Sequence, residues 1–212
     1  MKNILVPTDF SKNCTKAANL GIKIAKLYDA EIHFLHQMTT PVDWVKLDKQ
    51  KEKRYPKTVK EIGVAKSKLR ELEKKAEHEG LKCRTFLQFD SGQKDILEHS
   101  GHFHHDFIVT GSSGTKGVIR EITGSNVEKI VRKANAPIIV VKEEDVTFPF
   151  KDILFEISKP ASINTFLKHQ PADLIAMSTH GKTGFLSLFS KSIAEGVTNH
   201  SSLPVMTIHI KK

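Results

Sequence analysis

Short apolar runs alternate with longer amphipathic segments along most of the chain, and this alternation limits the choice of fold more than any other feature of the sequence. The runs are rich in β-branched residues, as in Ile138–Val141, which is typical of strands buried on both faces. The longer segments repeat apolar residues at helical spacing. Strands that alternate with helices form a parallel sheet through right-handed crossovers. We therefore predict the α/β class, with an open, doubly wound sheet.

The first part of the chain contains the predicted strands Lys2–Val6, Glu31–Met38, Leu81–Phe89, Phe107–Gly111 and Pro137–Lys142. The predicted helices run from Ser11 or Asn13 to about Tyr28, from Lys57 to Gly80, from Asp95 to about His102 and from Ser125 to Ala134. Residues 39–56 are predicted to be a polar, lysine-rich connection. The five parallel strands are expected in the order 3-2-1-4-5. Ligands of such sheets bind beyond the carboxyl ends of the strands, where the strand order switches direction.

The pattern restarts near residue 150, after a short polar break. The matches pair Phe150–Phe155 with Met1–Val6, Ala172–Gly181 with His105–Gly114, Ser192 with Ser125 and Pro204 with Pro137. This second repeat keeps strands 1, 4 and 5 and a helix at Ile163–His169, but it lacks the first helix, second strand, second helix and third strand. The retained strands are neighbours in the predicted order, so we expect a three-stranded layer with strand 1 as a new edge. The alternative is that the sequence omits segments of a longer chain.

Composition and charge narrow the function classes. The 212 residues carry 33 Lys and Arg against 24 Asp and Glu, a net charge of +9, which favours acidic partners such as nucleotides, nucleic acid or membrane surfaces. Many of these basic residues lie between Lys46 and Lys75, on a connection and a solvated helix face, so we attribute the charge to solubility. No apolar stretch approaches the length of a membrane span. The two cysteines lack CxxC spacing, which fits a reducing cytoplasm.

The strongest local motif is Gly111-Ser112-Ser113-Gly114, followed after nine residues by Gly124-Ser125. It follows a predicted strand and ends at a predicted helix start. Glycines allow the backbone to approach a phosphate or ribose closely, and the free N–H groups of a helix N-terminus favour an anion. The motif is neither a Walker A loop nor the GxGxxG dinucleotide fingerprint. A glycine-rich turn needed only for folding is the competing interpretation.

Together with the opening Leu5–Ser11 and the closing Asn135–Val141, this motif resembles the universal stress protein family. The resemblance implies an adenine nucleotide alpha hydrolase-like fold, with a complete domain over residues 1–145 and an incomplete second domain over residues 146–212. It also implies that the first repeat binds ATP, with magnesium as a candidate companion ion. The family's nucleotide pattern, G-2x-G-9x-G-(S/T), is met in full there.

The resemblance assigns roles to individual residues. Those that would line the ribose and phosphates are Gly111, Ser113 and Gly114, and those that would hold the phosphates are Gly124, Ser125 and Asn126. Thr8 and Asp9 would lie beside adenine and ribose, with Asp9 accepting a hydrogen bond from a ribose hydroxyl. Gln37 falls where the family usually has a small aliphatic residue whose backbone reads adenine.

The second repeat departs from this pattern at several positions. Ser178 replaces Gly111, Lys191 replaces Gly124 and Ser158 falls at the position of Asp9. We therefore predict that the second repeat does not bind ATP. The family commonly pairs domains through antiparallel fifth strands, so residues 138–142 are expected to pair with residues 205–210 as a pseudo-dimer within the chain. A homodimer is also compatible with the resemblance.

Two further features have competing interpretations. The histidines His99, His102, His104 and His105 are dense enough to bind a transition metal, but they lie at the end of a predicted helix, where histidine faces solvent and stabilises the helix dipole. Cys14 lies early in the first helix, where a thiol pKa can be depressed. A small, semi-buried residue is the interpretation that we favour for it.

No catalytic set is visible in the sequence. The absence of such a set favours a binding protein over an enzyme. The resemblance implies a cytoplasmic, ATP-binding stress-response regulator that acts on an unknown protein partner, with neither membrane nor nucleic acid as a partner. One alternative is slow ATP hydrolysis or autophosphorylation supported by Asp9 and Ser125. Another is a polyanion-binding or structural module that has lost nucleotide binding.

Overall fold

The computed structural model describes residues 1–90, 103–112, 136–142, 146–155, 172–180, 197 and 201–210. Within this part, eight strands form one sheet in the order β3-β2-β1-β4-β5-β8-β7-β6. The strands are β1 Asn3–Pro7, β2 Glu31–Thr39, β3 Cys83–Asp90, β4 Phe107–Gly111, β5 Ile138–Val141, β6 Ile153–Phe155, β7 Leu174–His180 and β8 Val205–Ile210. The first five strands are parallel and have the predicted order 3-2-1-4-5, so the predicted fold class is confirmed. The predicted helices at residues 95–102, 125–134 and 163–169 lie outside the described residues.

Two long helices begin and end at the signals that the sequence provides. Helix α1, Lys12–Tyr28, is capped by Ser11, whose hydroxyl accepts a hydrogen bond from the Cys14 N–H at 3.3 Å. It ends at Asp29 in the left-handed conformation. A short helix, α2, spans Lys49–Glu52, and α3 spans Pro56–His78 with proline in its first turn. Helices α1 and α3 pack on the same face of the sheet.

Successive side chains of each strand face opposite sides of the sheet, so the core has two layers. On the side that α1 and α3 cover, the buried strand residues include Ile4, Val6, Ile32 and Phe34. On the other side lies a second cluster that extends from the first repeat into the last strands. Its members include Leu5, Leu35, Ile108, Val140, Ile175 and Val205.

The two repeats meet at the antiparallel pair β5–β8. Ile138 lies opposite Thr207, Ile139 opposite Met206 and Val140 opposite Val205. The pairing predicted for residues 138–142 with 205–210 is therefore observed within the chain over residues 138–140 and 205–207. Since β5 would otherwise be an edge strand, the pairing satisfies its outer backbone groups and joins both repeats into one sheet.

Strands β6, β7 and β8 form a parallel layer that repeats the arrangement of β1, β4 and β5. β6 lies at the end of the described sheet, as predicted for strand 1 of the second repeat. Its side chains Ile153 and Phe155 are exposed. Where the structure describes the chain, no helix has the length and apolar character needed to cross a membrane.

The connection at residues 39–56 is more ordered than its polar composition predicts. It contains a 3-10 helix at Trp44–Lys46 followed by α2. Trp44 is only 7% exposed because it packs in a cluster with Met38, Ile62 and Ala65. A single buried aromatic residue thus anchors the connection against β2 and α3.

Candidate functional site

The turn between β1 and α1 is the best defined part of the site. The Thr8 N–H donates to the Leu35 carbonyl at 2.8 Å, so the turn begins hydrogen bonded to β2. The Phe10 N–H then donates to Thr8 Oγ1 at 3.0 Å, and the Ser11 N–H donates to Asp9 Oδ1 at 2.8 Å. These bonds place Thr8 and Asp9 at the carboxyl end of β1, as predicted.

Asp9 is the charged group of this turn. Partial burial by itself would raise the pKa of Asp9, but hydrogen bonds from the Ser11 and Cys14 side chains and from the Ser11 N–H hold that pKa below its usual value. The carboxylate is therefore ionised at neutral pH. An ionised and exposed carboxylate accepts hydrogen bonds from hydroxyl donors.

Cys14 supports Asp9 as a neutral thiol. Burial raises the pKa of Cys14 to about 11, and the negative charge of Asp9 adds to that effect. The alternative of a helix-end thiol with a depressed pKa is therefore wrong, because burial and the neighbouring carboxylate outweigh the helix terminus. The favoured interpretation of Cys14 was a small, semi-buried residue, and the structure shows it buried.

Gly111 ends β4 beside the first turn of α1. A Cβ atom at this position would lie 2.5 Å from the backbone C of Asn13 and 2.5 Å from the backbone N of Cys14. The Asn13 amide also donates to the Ser112 carbonyl at 2.6 Å, which fixes α1 against the start of the glycine motif. Gly111 was predicted to line the ribose and phosphates, and the structure adds a reason that the sequence did not reveal: only glycine lets α1 approach β4 this closely.

These residues meet where the strand order switches direction. From β1 the chain proceeds to β2 and β3 on one side, and then to β4 on the other side of β1. Asp9 follows β1 and Ser112 follows β4, so both lie at the crevice where sheets of this type bind ligands. The N-terminus of α1, between them, adds its positive dipole end.

The remaining predicted residues divide into two groups. Gln37 lies on β2, two residues beyond the Leu35 that bonds Thr8, and therefore at the same edge of the sheet. Ser178 is described on β7. The predicted positions Ser113, Gly114, Gly124, Ser125, Asn126, Ser158 and Lys191 lie outside the described residues.

His36 is a site residue that sequence reasoning missed. Its Nδ1 lies 2.7 Å from the Thr8 carbonyl oxygen, and its ring lies 4.4 Å from the Phe10 ring between centroids. The alternation of side chains along β2 could have indicated it, because His36 faces the same helix-covered side of the sheet as Phe34. A polar ring at a position where an apolar residue is expected indicates a hydrogen-bond partner, because buried polar groups are rarely left without one.

Lys142 is a second group that the sequence did not single out. It follows β5 at the same edge of the sheet, one residue beyond the Val141 carbonyl that accepts from the Ser112 N–H at 2.8 Å. Burial lowers the pKa of Lys142 to about 8. The lysine still carries most of its positive charge at neutral pH.

The histidine-rich segment does not form a metal site among the described residues. His104 is exposed, whereas His105 is buried and its Nε2 lies 2.7 Å from Nδ1 of His33. The interpretation of His105 as a solvent-facing residue is therefore wrong, because this histidine pairs with β2. His33 in turn contacts Glu31 at 3.0 Å. His99 and His102 lie outside the described residues.

Comparison with known proteins agrees with the fold and with the repeat. A family model described as the universal stress protein family matches residues 1–142 and 145–209, that is, both repeats. A universal stress protein of Methanocaldococcus jannaschii is 31% identical over 143 residues, covering 67% of this chain and 82% of that protein. A relative from Staphylococcus aureus strain USA300, also named as a universal stress protein, is 30% identical over 154 residues, covering 71% and 89%.

A solved structure matches nearly the whole chain. The crystal structure of a universal stress protein from Archaeoglobus fulgidus DSM 4304 has a TM-score of 0.69 and covers 98% of this chain and 96% of that one. The sequence identity is 17%, so this match concerns the fold alone. Because the match extends beyond residue 142, it includes strands of the second repeat.

Proposed function

The chain belongs to the universal stress protein family, and from this premise we propose that it is an ATP-binding regulator with one nucleotide site, in the first repeat. The observation that carries the proposal is the meeting of Asp9 and the Gly111–Ser112 segment at the switch point of the sheet, on either side of the N-terminus of α1. An ionised acceptor and a close backbone approach suit a ribose and its phosphates.

Each part of the nucleotide is proposed to meet a different element. Asp9 accepts a hydrogen bond from a ribose hydroxyl, with Thr8 beside it, and the main chain at Gln37 contacts adenine. The segment that contains Ser113, Gly114, Gly124, Ser125 and Asn126 binds the phosphates, as the family pattern implies. Lys142 adds positive charge at this edge of the sheet. Magnesium is proposed as the companion ion of the phosphates, as the family resemblance implies.

The second repeat is proposed to be structural. It has Ser178 in place of Gly111 and Lys191 in place of Gly124. In the described sheet, β6 has β7 as its neighbour and lacks the strand that β2 supplies to β1. Without that strand, a nucleotide site in the second repeat would lack the backbone that is proposed to contact adenine in the first. We propose that this repeat serves as a permanent partner that pairs with β5.

The proposal is one of binding rather than catalysis. ATP would shift the affinity for an unknown protein partner, and a homodimer would be one form of that partnership. A reducing, cytoplasmic setting belongs to the same proposal and is supported by the free thiols of Cys14 and Cys83.

The test is calorimetric titration of nucleotide-free protein with ATP and magnesium. We expect one site per chain. Gly124→Asp places a carboxylate in the phosphate approach and should abolish binding, whereas Lys191→Asp, which introduces the same residue at the equivalent position of the second repeat, should leave affinity unchanged. Circular dichroism checks that both variants fold. Two sites, or equal effects of the two changes, would contradict the proposal.

Two outcomes would favour the other function classes. Steady release of phosphate, or stoichiometric phosphate on Ser or Thr after incubation with labelled ATP, would indicate an enzyme. Binding of DNA or RNA that falls steeply with salt and is unaffected by ATP would indicate a polyanion-binding module.

A further inference from the structure

The imidazole of His36 lies directly beneath the turn that carries Asp9. Its Nδ1 is 2.7 Å from the Thr8 carbonyl oxygen. A carbonyl only accepts hydrogen bonds, so Nδ1 carries the proton and donates it. Together with the bond from the Thr8 N–H to the Leu35 carbonyl, this bond ties both backbone groups of Thr8 to β2. The start of the turn is therefore fixed by two neighbouring residues of one strand.

Phe10 needs such support because its backbone is strained. Its φ of 63° is in the left-handed region, which bulky side chains rarely adopt. Strain of this kind persists only where the surroundings hold it, and it concentrates at functional sites. Here the Phe10 ring stacks on His36 at 4.4 Å between centroids, and the Lys68 ammonium lies 5.2 Å from the Phe10 centroid. His36 thus contacts the turn at Thr8 and at Phe10, on either side of Asp9.

The charged groups around His36 come from two elements. Burial lowers the pKa of His36 below its ordinary value, the bond to Thr8 and the charge of Asp9 oppose this, and Lys68 on α3 lowers the pKa further. The neutral ring therefore prevails at neutral pH. The pKa of His36 is lower in the folded turn than its ordinary value of 6.5, which it would regain if the turn opened. As the pH falls below 6.5, the open turn therefore binds a proton at His36 more readily than the folded turn, and the equilibrium shifts towards opening.

We propose that His36 is a positioning residue of the nucleotide site, which presents Asp9 by fixing Thr8 and Phe10 and which loosens the turn when it is protonated. This inference rests on the proposed function for its ligand. It assigns to His36 no contact with the nucleotide. Its consequence is an affinity for nucleosides that falls in mildly acidic solution.

The test uses adenosine as the probe, because its charge does not change across the pH range and ATP phosphates titrate within it. At pH 7.5, His36→Leu should weaken adenosine binding about tenfold, because the Thr8 carbonyl loses its donor. His36→Asn places an amide donor where Nδ1 stands, so it should bind within about threefold of the wild type. Between pH 7.5 and 5.5 the affinity of the wild type should fall, and that of His36→Asn should stay flat.

The matched control is His104→Asn. His104 is exposed and has a φ of 49°, a conformation that asparagine tolerates, so this variant should keep the pH dependence of the wild type. Unchanged affinity in His36→Leu, or an equal pH dependence in His36→Asn, would overturn the proposal. If His36→Leu does not fold, the pH profiles of the wild type and His36→Asn decide alone.

A second measurement separates this inference from the proposed function. Amide hydrogen exchange at residues 8–11 reports on the turn without any ligand. Exchange should be faster in His36→Leu than in the wild type and restored in His36→Asn, after correction for the intrinsic rates. If no variant binds adenosine or ATP but exchange follows this order, the nucleotide proposal fails and the positioning role stands. Equal exchange in all variants refutes the positioning role.

Discussion

The two repeats place equivalent strands in different surroundings. Ile4 and Val6 of β1 are 0% exposed, whereas their counterparts Ile153 and Phe155 of β6 are 41% and 69% exposed. Similarly, Val141 of β5 is buried while Ile208 of β8 is exposed. In the first repeat α1 and α3 cover this face, and the sequence predicts that the second repeat lacks their counterparts. The strands are thus apolar in both repeats, but in the second repeat this face is buried at Leu174 and Ala176 of β7 and exposed on the strands beside it.

The first position of the glycine motif also differs between the two repeats. At Gly111 the backbone of α1 occupies the space of a side chain, whereas β7 carries Ser178 at the equivalent position. The glycine that the nucleotide pattern has at position 111 is therefore also needed for the packing of α1 against β4.

The largest effect is expected from exchanging these two residues. Gly111→Ser should lower the free energy of unfolding by about 3 kcal/mol or more, because its Cβ would meet rigid backbone of α1. Ser178→Gly should change it by about 1 kcal/mol at most, the entropic cost of a glycine in a strand. Urea denaturation measures both. Similar losses of unfolding free energy in the two variants would mean that the contact with α1 is not the reason for glycine at position 111.

A smaller difference is expected for the covered and uncovered strand residues. Val6→Ala removes methyl groups from a closed core and should cost about 2–3 kcal/mol. Phe155→Ala removes a larger side chain but should cost less than about 1 kcal/mol, because that side chain is mostly in water. Thermal or urea unfolding tests the pair. A larger loss at Phe155 would show that this face is covered in solution.

The smallest effect concerns a feature that both repeats keep. Asp106 accepts from the Lys2 and Asn3 N–H groups at 2.6 and 3.1 Å, and Asp173 accepts from Lys151 and Asp152 at 3.0 and 3.3 Å. After solvent screening, Asp106→Asn and Asp173→Asn should each cost about 0.5 kcal/mol at pH 7. A loss confined to one repeat would contradict their equivalence.

The pH dependence of Asp106→Asn sharpens that comparison. The hydrogen bond from the Lys2 N–H, above all, lowers the pKa of Asp106 below 3.8 in the folded protein. The stabilisation is therefore present above that value and is lost as the pH falls through the lowered folded pKa. Unfolding curves of the wild type and the variant should converge in strongly acidic solution. If the two proteins still differ in stability in strongly acidic solution, the effect of Asp106→Asn does not come from the negative charge of Asp106.

Much of the fold followed from local patterns. The bounds of β4 and β8 match the predictions, and α1 begins at Ser11, one of the two caps that the sequence offered. The connection at residues 39–56 did not follow, because the burial of Trp44 depends on Met38 and Ile62, which lie in other elements. His36 was missed and His105 was placed in solvent for the same reason. The partner of each histidine lies in another element far along the chain, His33 for His105 and Thr8 for His36, and local spacing does not reveal such contacts.

The sequence by itself determined the alternation of strands and helices, the repeat, the family and the positions of Asp9 and the glycine motif. The alternation depends on local propensity and periodicity, which each segment carries within itself. The repeat, the family and the site positions follow from matched motifs and from the resemblance that those motifs carry. Only the tertiary structure decided which face of a strand is covered, why Gly111 has no side chain and which groups hold Asp9. Those depend on contacts between segments far apart in the chain, where packing and burial set both the available space and the charge of each group.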